Sequence, residues 1–234
     1  MKIFGKNAVT EALRSDRTVE KVMVEKGDKG EVVALARRKG IKVQWVDRSV
    51  LDAESDKGRH QGCIAFVSDF AYCEVEELFP RNNKDNVLLV ILEEITDPHN
   101  FGSIIRVCEC AGVDGIIIGK NRQVAVNETV ERCSAGAVSH VKIARVTNIN
   151  NTIKQLRDEG VWVYCADMDG ASMYQADLRG NVALVIGGEG SGVGKLTRSL
   201  CDGVISIALK GKVNSLNASV ACGIVVYEAV RQRQ

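Results

Sequence analysis

Proline and aromatic side chains are scarce in this chain. It has two prolines and 5% aromatic residues in 234, with no low-complexity tract, 45% hydrophobic residues and 26% charged ones. That excludes a proline-rich linker or a disordered chain and fits an ordinary globular protein. No apolar run approaches the ~20 residues that a bilayer crossing needs. The opening stretch "MKIFGKNAVTEALRS" lacks an apolar core and is neither Arg-rich nor free of acids. Neither a secretory leader nor a mitochondrial address is therefore expected. C-x-x-C spacing is missing as well. Eight cysteines stand at 63, 73, 108, 110, 133, 165, 201 and 222, and only Cys108 and Cys110 are close together. His60, His99 and His140 show no ligand spacing with them. The expectation is free thiols in a reducing cytoplasm and no metal site.

Charge of one sign is also lacking: the net charge is +1. Its distribution is uneven. Residues 1–70 carry fourteen Lys or Arg against eleven Asp or Glu, with "RRK" at 37–39 and "KGRHQG" at 57–62. These stretches read as a solvated helix face and a polar turn, or as parts of a basic patch assembled by the fold.

Local patterns divide the chain. In residues 1–70 the spacing predicts helices at 7–14 and 30–39 and strands at 19–24, 41–46 and 62–68, a small α/β module. Pro80 and the polar run after it mark 71–86 as a linker. In residues 87–234, uninterrupted apolar runs at 87–93, 115–118, 161–166, 182–186 and 203–209 alternate with helical patterns at 101–111, 127–133, 150–159, 194–200 and 217–232. Strands apolar on both faces between helices predict an α/β domain with a parallel sheet. Such sheets take ligands at the carboxyl ends of their strands.

Three loops follow those strands. "ITDPHNFGSIIRVCECAG" (95–112) leaves a strand and enters a helix for which Asn100 is a candidate N-cap. Arg106 lies off the apolar stripe, with small neighbours Gly102, Ser103 and Cys110 one turn away. It suits an anion or transition-state contact leaning back over the loop, or a plain surface pair with Glu109. "ALVIGGEGSGVGKL" (183–196) has five glycines in eight residues, at 187, 188, 190, 192 and 194. It matches neither the P-loop nor the dinucleotide fingerprint, and Glu189 would repel a polyphosphate. "IALKGKVNSLNASVACGIVVYEAV" (207–230) opens a helix that Ser215 or Asn217 can cap. The small residues Ala218, Ser219, Ala221, Cys222 and Gly223 fit either tight internal packing or a subunit contact.

Taken in order, "DPHNFGSIIRVCECAGV", "LVIGGEGSGVGKL" and "ISIALKGKVNSLNASVACGIVVYEA" resemble the three motifs of the SPOUT superfamily of RNA methyltransferases, TrmH type. "FGKNAVTEAL" and "RHQGCIAF" resemble the small RNA substrate-binding domain of its ribosomal members, so the likeness covers essentially the whole chain. It is nearest to the bacterial 23S ribosomal RNA guanosine-2′-O-methyltransferases. The resemblance implies a catalytic domain at 87–234 with a C-terminal trefoil knot, S-adenosylmethionine as cofactor, an RNA substrate and a homodimer. It implies that Arg106 activates the ribose 2′-oxygen, that Asn100 and Glu189 orient it, and that Ser215 and Asn217 fix the third-motif loop. Gly187, Ile207, Leu216 and Ser219 would hold the cofactor, and Arg59, His60 and Gln61 the RNA. Cys108 and Cys110 stand where Ala is more usual, and both are still small. A transfer-RNA ribose methyltransferase and a non-catalytic RNA-binding assembly factor are the alternatives. A nucleotide-dependent oxidoreductase is disfavoured by the failed glycine fingerprint.

Overall fold

Strands and helices alternate along the whole chain. The computed structural model describes residues 1–15, 18–55, 59–67, 70–79, 86–188, 190, 192–213 and 215–234. The first part holds β1 (Lys2–Phe4), α1 (Lys6–Arg14), β2 (Val19–Glu25), α2 (Glu31–Arg38), β3 (Lys42–Val46), α3 (Arg48–Glu54) and β4 (Cys63–Val67). Then come β5 (Leu88–Glu93), α4 (Pro98–Cys110), β6 (Gly115–Gly119), α5 (Glu128–Cys133), β7 (Ile143–Val146) and α6 (Ile149–Asp158). The chain ends with β8 (Trp162–Ser172), β9 (Val182–Gly187), α7 (Lys195–Leu200), β10 (Gly203–Ser206) and α8 (Ala218–Gln232). These elements form two compact units, Met1–Ala71 with Val126–His140, and Tyr72–Ala125 with Val141–Gln234.

The first unit is built on a four-stranded sheet of order β1-β4-β2-β3, in which only β2 and β3 run parallel. Side chains alternate between its faces with a period of two. Val22 and Val24 of β2 and Cys63, Ala65 and Val67 of β4 pack with Val9, Ala12 and Leu13 of α1 and Val32, Val33 and Ala36 of α2. The intervening Met23 and Ile64 join Phe4, Val46 and Leu51 on the other face. Each fully buried Leu or Val here contributes roughly 1.5–3 kcal/mol relative to exposure. The segment Val126–His140 completes this unit. Glu128 Oε1 accepts from the Lys2 N–H (3.0 Å), the Arg132 guanidinium lies 5.5 Å from the Phe4 ring centroid, and His140 Nε2 lies 2.7 Å from Glu11 Oε2.

The second unit carries a six-stranded, all-parallel sheet of order β10-β8-β9-β5-β6-β7. The central strand β5 is buried along nearly its whole length. Leu89 and Ile91 face a core shared with Ile153 and Leu156 of α6, Val163 and Val185. Helices α4 and α8 pack on each other, α4 against β6 and α8 against β9. The chain steps from β5 outward through β6 to β7, then returns to the opposite side for β8, β9 and β10. The order therefore reverses between β5 and β9, and sheets of this kind take ligands at the carboxyl ends of their strands.

Besides β1, α3 and β7, which the sequence patterns do not predict, three elements differ from expectation. The 203–209 run stays a strand only to Ser206, and β8 extends past residue 166 to Ser172. The helix of the first motif starts at Pro98 and is capped by Asp97, whose carboxylate accepts from the His99 N–H (2.9 Å). Asn100 therefore lies inside the first turn, because proline at N1 fixes the helix entry ahead of it.

Candidate active site

The carboxyl ends of β5 and β9 place Glu93 beside Gly187 in register. A Cβ on Gly187 would collide with the Gly192 backbone, and one on Gly188 with the Glu94 carbonyl. Glycine is required at both because the chain folds back on itself there. The Glu93 carboxylate organises the turn: one oxygen accepts from the Gly194 N–H (2.8 Å), the other from the Thr197 hydroxyl (2.6 Å). Thr197 is buried and lies 2.9 Å from Asn150 Oδ1. Sequence reasoning missed Glu93 and Thr197. The available signal was a carboxylate ending an otherwise apolar strand, where only a functional or hydrogen-bonded acid is tolerated.

Behind this turn lies a cavity of about 360 Å³. Its walls include Gly187 and Gly188 of the glycine loop, Ile205 and Ile207 from the end of β10, and Ser215 and Leu216 before α8. Gly187, Ile207, Leu216 and Ser215 thus share one cavity. Ser219 is absent from its walls; its hydroxyl donates to Asn217 Oδ1 (2.6 Å). The Asn217 side chain caps α8, accepting from the Ser219 N–H (2.9 Å). Its amide nitrogen donates to Asn100 Oδ1 (2.9 Å), so the first and third motifs are bonded directly. Asn100 is 7% exposed. Glu189 lies outside the described residues.

Arg106 is exposed on α4 and does not line this cavity. Among the described residues its side chain makes no hydrogen bond or ion pair, so the surface pair with Glu109 does not form. The small residues of α8 serve internal packing: Val107 of α4 comes within 3.7 Å of where a Gly223 Cβ would stand, and Cys222 meets Cys108. The Cys222 thiol hydrogen bond and burial push Cys108 well above the usual thiol range.

In the first unit, His60 is 3% exposed and committed internally. Its Nδ1 accepts from the Gly62 N–H (3.0 Å), which leaves the proton on Nε2, 2.9 Å from Asp52 Oδ1. It fixes the turn before β4 and does not face solvent. Arg59 and Gln61 are exposed, and the Gln61 side-chain oxygen accepts from the Lys6 N–H (2.8 Å).

The SpoU rRNA methylase family model matches residues 87–227, more than half of the chain. The chain belongs to the SpoU rRNA methylase family. A second model, for RNA 2′-O ribose methyltransferase substrate binding, matches residues 2–73. The family assignment extends over both units in the curated relatives. The Bacillus subtilis protein YacO, named for the TrmH family of tRNA/rRNA methyltransferases, is 41% identical over 99% of this chain and 95% of its own. The 23S rRNA (guanosine-2′-O-)-methyltransferase RlmB of Xanthomonas campestris is also 41% identical, over 99% of this chain and 96% of its own. The fold matches the SpoU methyltransferase AviRb of Streptomyces viridochromogenes, solved with AdoMet, with a TM-score of 0.84 at 23% identity over 99% of this chain and 89% of that one. No described helix of this SpoU family member is long and apolar enough to cross a membrane.

Proposed function

We propose that the protein transfers a methyl group from S-adenosylmethionine to a ribose 2′-hydroxyl of RNA, with a guanosine of 23S ribosomal RNA as the target. The observation that carries this is the cavity at the ends of β8, β9 and β10, walled by the glycine loop and the Ser215–Leu216 segment. Its size falls in the ordinary range for small-molecule sites, roughly 300–1,000 Å³. The donor set fits the cofactor: Ile205, Ile207 and Leu216 offer apolar wall for an adenine, and glycine backbone offers hydrogen bonds at close approach. When bound, S-adenosylmethionine supplies an electrophilic methyl group. Gly187, Ile207 and Leu216 hold it, and Ser215 closes the rim.

The chain's own task is to position the sugar and handle one proton. An arginine keeps its charge far above neutral pH, so Arg106 is no ordinary base. It contacts the phosphate and the 2′-oxygen and stabilises the negative charge that develops there, while the 2′-hydroxyl proton passes to the target's own phosphate oxygen. Asn100, held by Asn217, orients the ribose side of the site, together with Glu189. Because Arg106, like Asn100 on the same helix, lies outside the cavity of its own chain, a second copy brings α4 to the reaction. Support for a homodimer comes from α8, where Val220 and Tyr227, each 49% exposed, stand seven residues apart on one face. A trefoil knot in the C-terminal segment belongs to this reading through the family match over residues 87–227. Eight free thiols suit the reducing cytoplasm, where ribosomal RNA is made in bacteria.

The ribosomal substrate is favoured by the full-length match to a 23S enzyme, N-terminal unit included. The name of the Bacillus relative keeps transfer RNA as the second reading. Mass-spectrometric mapping of ribose methylation in RNA from a strain lacking the protein separates them. Loss of one 2′-O-methylguanosine in 23S RNA is the expected result. Loss confined to transfer RNA, or no loss, refutes the assignment.

A further inference from the structure

The first unit holds a cleft of about 440 Å³ with no counterpart among the site residues above. Gly27, Asp28 and Lys29 form one wall after β2, Val33 and Arg37 of α2 another, and Trp45 of β3 the third. We propose that this cleft binds one unpaired nucleotide of the RNA, its base stacked on Trp45 and its phosphate met by Lys29 and Arg37. The proposal rests on the reading of the protein as an RNA-modifying enzyme and adds a grip on the substrate within the N-terminal unit.

Trp45 sits on β3, an edge of the sheet, and is 40% exposed. The Arg37 guanidinium lies 5.3 Å from its ring centroid. An indole face beside a guanidinium matches a flat, π-faced ligand that also carries negative charge. The charges around the cleft sharpen the case. Lys26 pairs with Asp47, Arg14 with Glu11 and Glu31, and Arg48 with Glu25. Among the described residues the side chains of Lys29 and Arg37 have no hydrogen bond or ion pair. Two cations without an ion pair thus flank the indole, Arg37 lying over one side of the ring while 40% of Trp45 stays exposed for a base to stack on. One acid, Asp28, stands on the wall, and one of its oxygens already accepts from the Gly30 N–H (2.7 Å). Its other oxygen can accept from an exocyclic amino group of a base, as carboxylates do for cytosine. Space is provided by a turn at positive φ: Gly27 has φ +90° and no heavy atom within 4 Å of where its Cβ would stand. An acidic peptide would satisfy the cations and leave the indole unused, so a nucleotide fits better. Unstacked single-stranded bases are the part of an RNA that aromatic side chains engage.

The test uses the full chain with Trp162→Phe, so that Trp45 is its single indole. A short unstructured RNA oligonucleotide is titrated while indole fluorescence and binding are recorded. RNA quenches Trp45, and Trp45→Ala weakens RNA binding by about tenfold, the usual effect of removing one stacking partner. Trp45→Phe keeps affinity within a few-fold, and S-adenosylmethionine binding and the unfolding midpoint stay at wild-type values in both variants. Wild-type RNA affinity in a folded Trp45→Ala protein overturns the proposal, as does quenching by polyglutamate but not by RNA. Methyl transfer by the wild-type chain to bulk ribosomal RNA, measured alongside, reports on the enzymatic reading alone.

Discussion

At the residue scale, two side chains carry most of the proposed chemistry, and they do different work. Arg106 is exposed and unpaired among the described residues, so removing it leaves no buried orphan. Arg106→Ala is expected to keep S-adenosylmethionine affinity, read by calorimetry, while methyl transfer falls by about 10²–10³, the usual effect of losing one charge-stabilising donor. Asn217 is tied on two sides, capping α8 and bonding Asn100. Asn217→Ala is expected to cost about 1 kcal/mol in urea unfolding from the lost cap alone, and to lower methyl transfer as well. These roles were partly legible in the sequence. Asn217 before a small-residue helix is a cap by type and place, and the structure uses it so. Asn100 looked like a cap but is not one, because Asp97 and Pro98 set the helix start three residues earlier. His60 looked like a surface contact in a polar turn; only the folded unit shows that Asp52 and Gly62 use both ring nitrogens.

At the element scale, the parallel sheet was written in uninterrupted apolar runs, since a strand buried on both faces needs no polar alternation. What stayed hidden had weak local signals. β1 is three residues long, α3 buries a single hydrophobic residue, Leu51, and Arg145 interrupts the apolar run of β7. The terminal helix α8 also carries an acid-sensitive clamp. Near its end, Glu228 accepts from Arg231 (2.9 and 2.8 Å) and from Gln232 (2.8 Å). The Arg231 hydrogen bond, helped by Gln232, lowers the Glu228 carboxyl to about 2. A carboxyl depressed in the folded state stabilises fully above its unfolded value, about 4.3, and loses that contribution as pH falls through the folded one. Glu228→Gln is therefore expected to lower stability near neutrality and to flatten the loss of stability between pH ~4.5 and ~2. Urea midpoints across that window check it.

At the scale of the whole molecule, the first unit is discontinuous. Its sheet comes from the first 71 residues, but Val126–His140 returns to it from within the C-terminal sequence. No local pattern announces that return, because α5 is only six residues long and its partners are a hundred residues away. Cutting the chain at residue 71 would strip that segment of its packing, so single substitutions test the N-terminal unit more cleanly than truncation. Assembly has its own test. Tyr227→Glu puts a charge on the exposed α8 face and, if the proposed homodimer forms through it, is expected to shift sedimentation from dimer to monomer, with methyl transfer lost and the fold retained. The most direct measurement is methyl transfer in vitro: purified protein, labelled S-adenosylmethionine and unmodified 23S RNA, digested to nucleosides and identified by mass. The expected product is 2′-O-methylguanosine, formed by the wild-type chain and not by Arg106→Ala. A methyl group on a base, or no transfer by folded protein that binds the cofactor, would contradict a ribose-directed site at the ends of β8, β9 and β10.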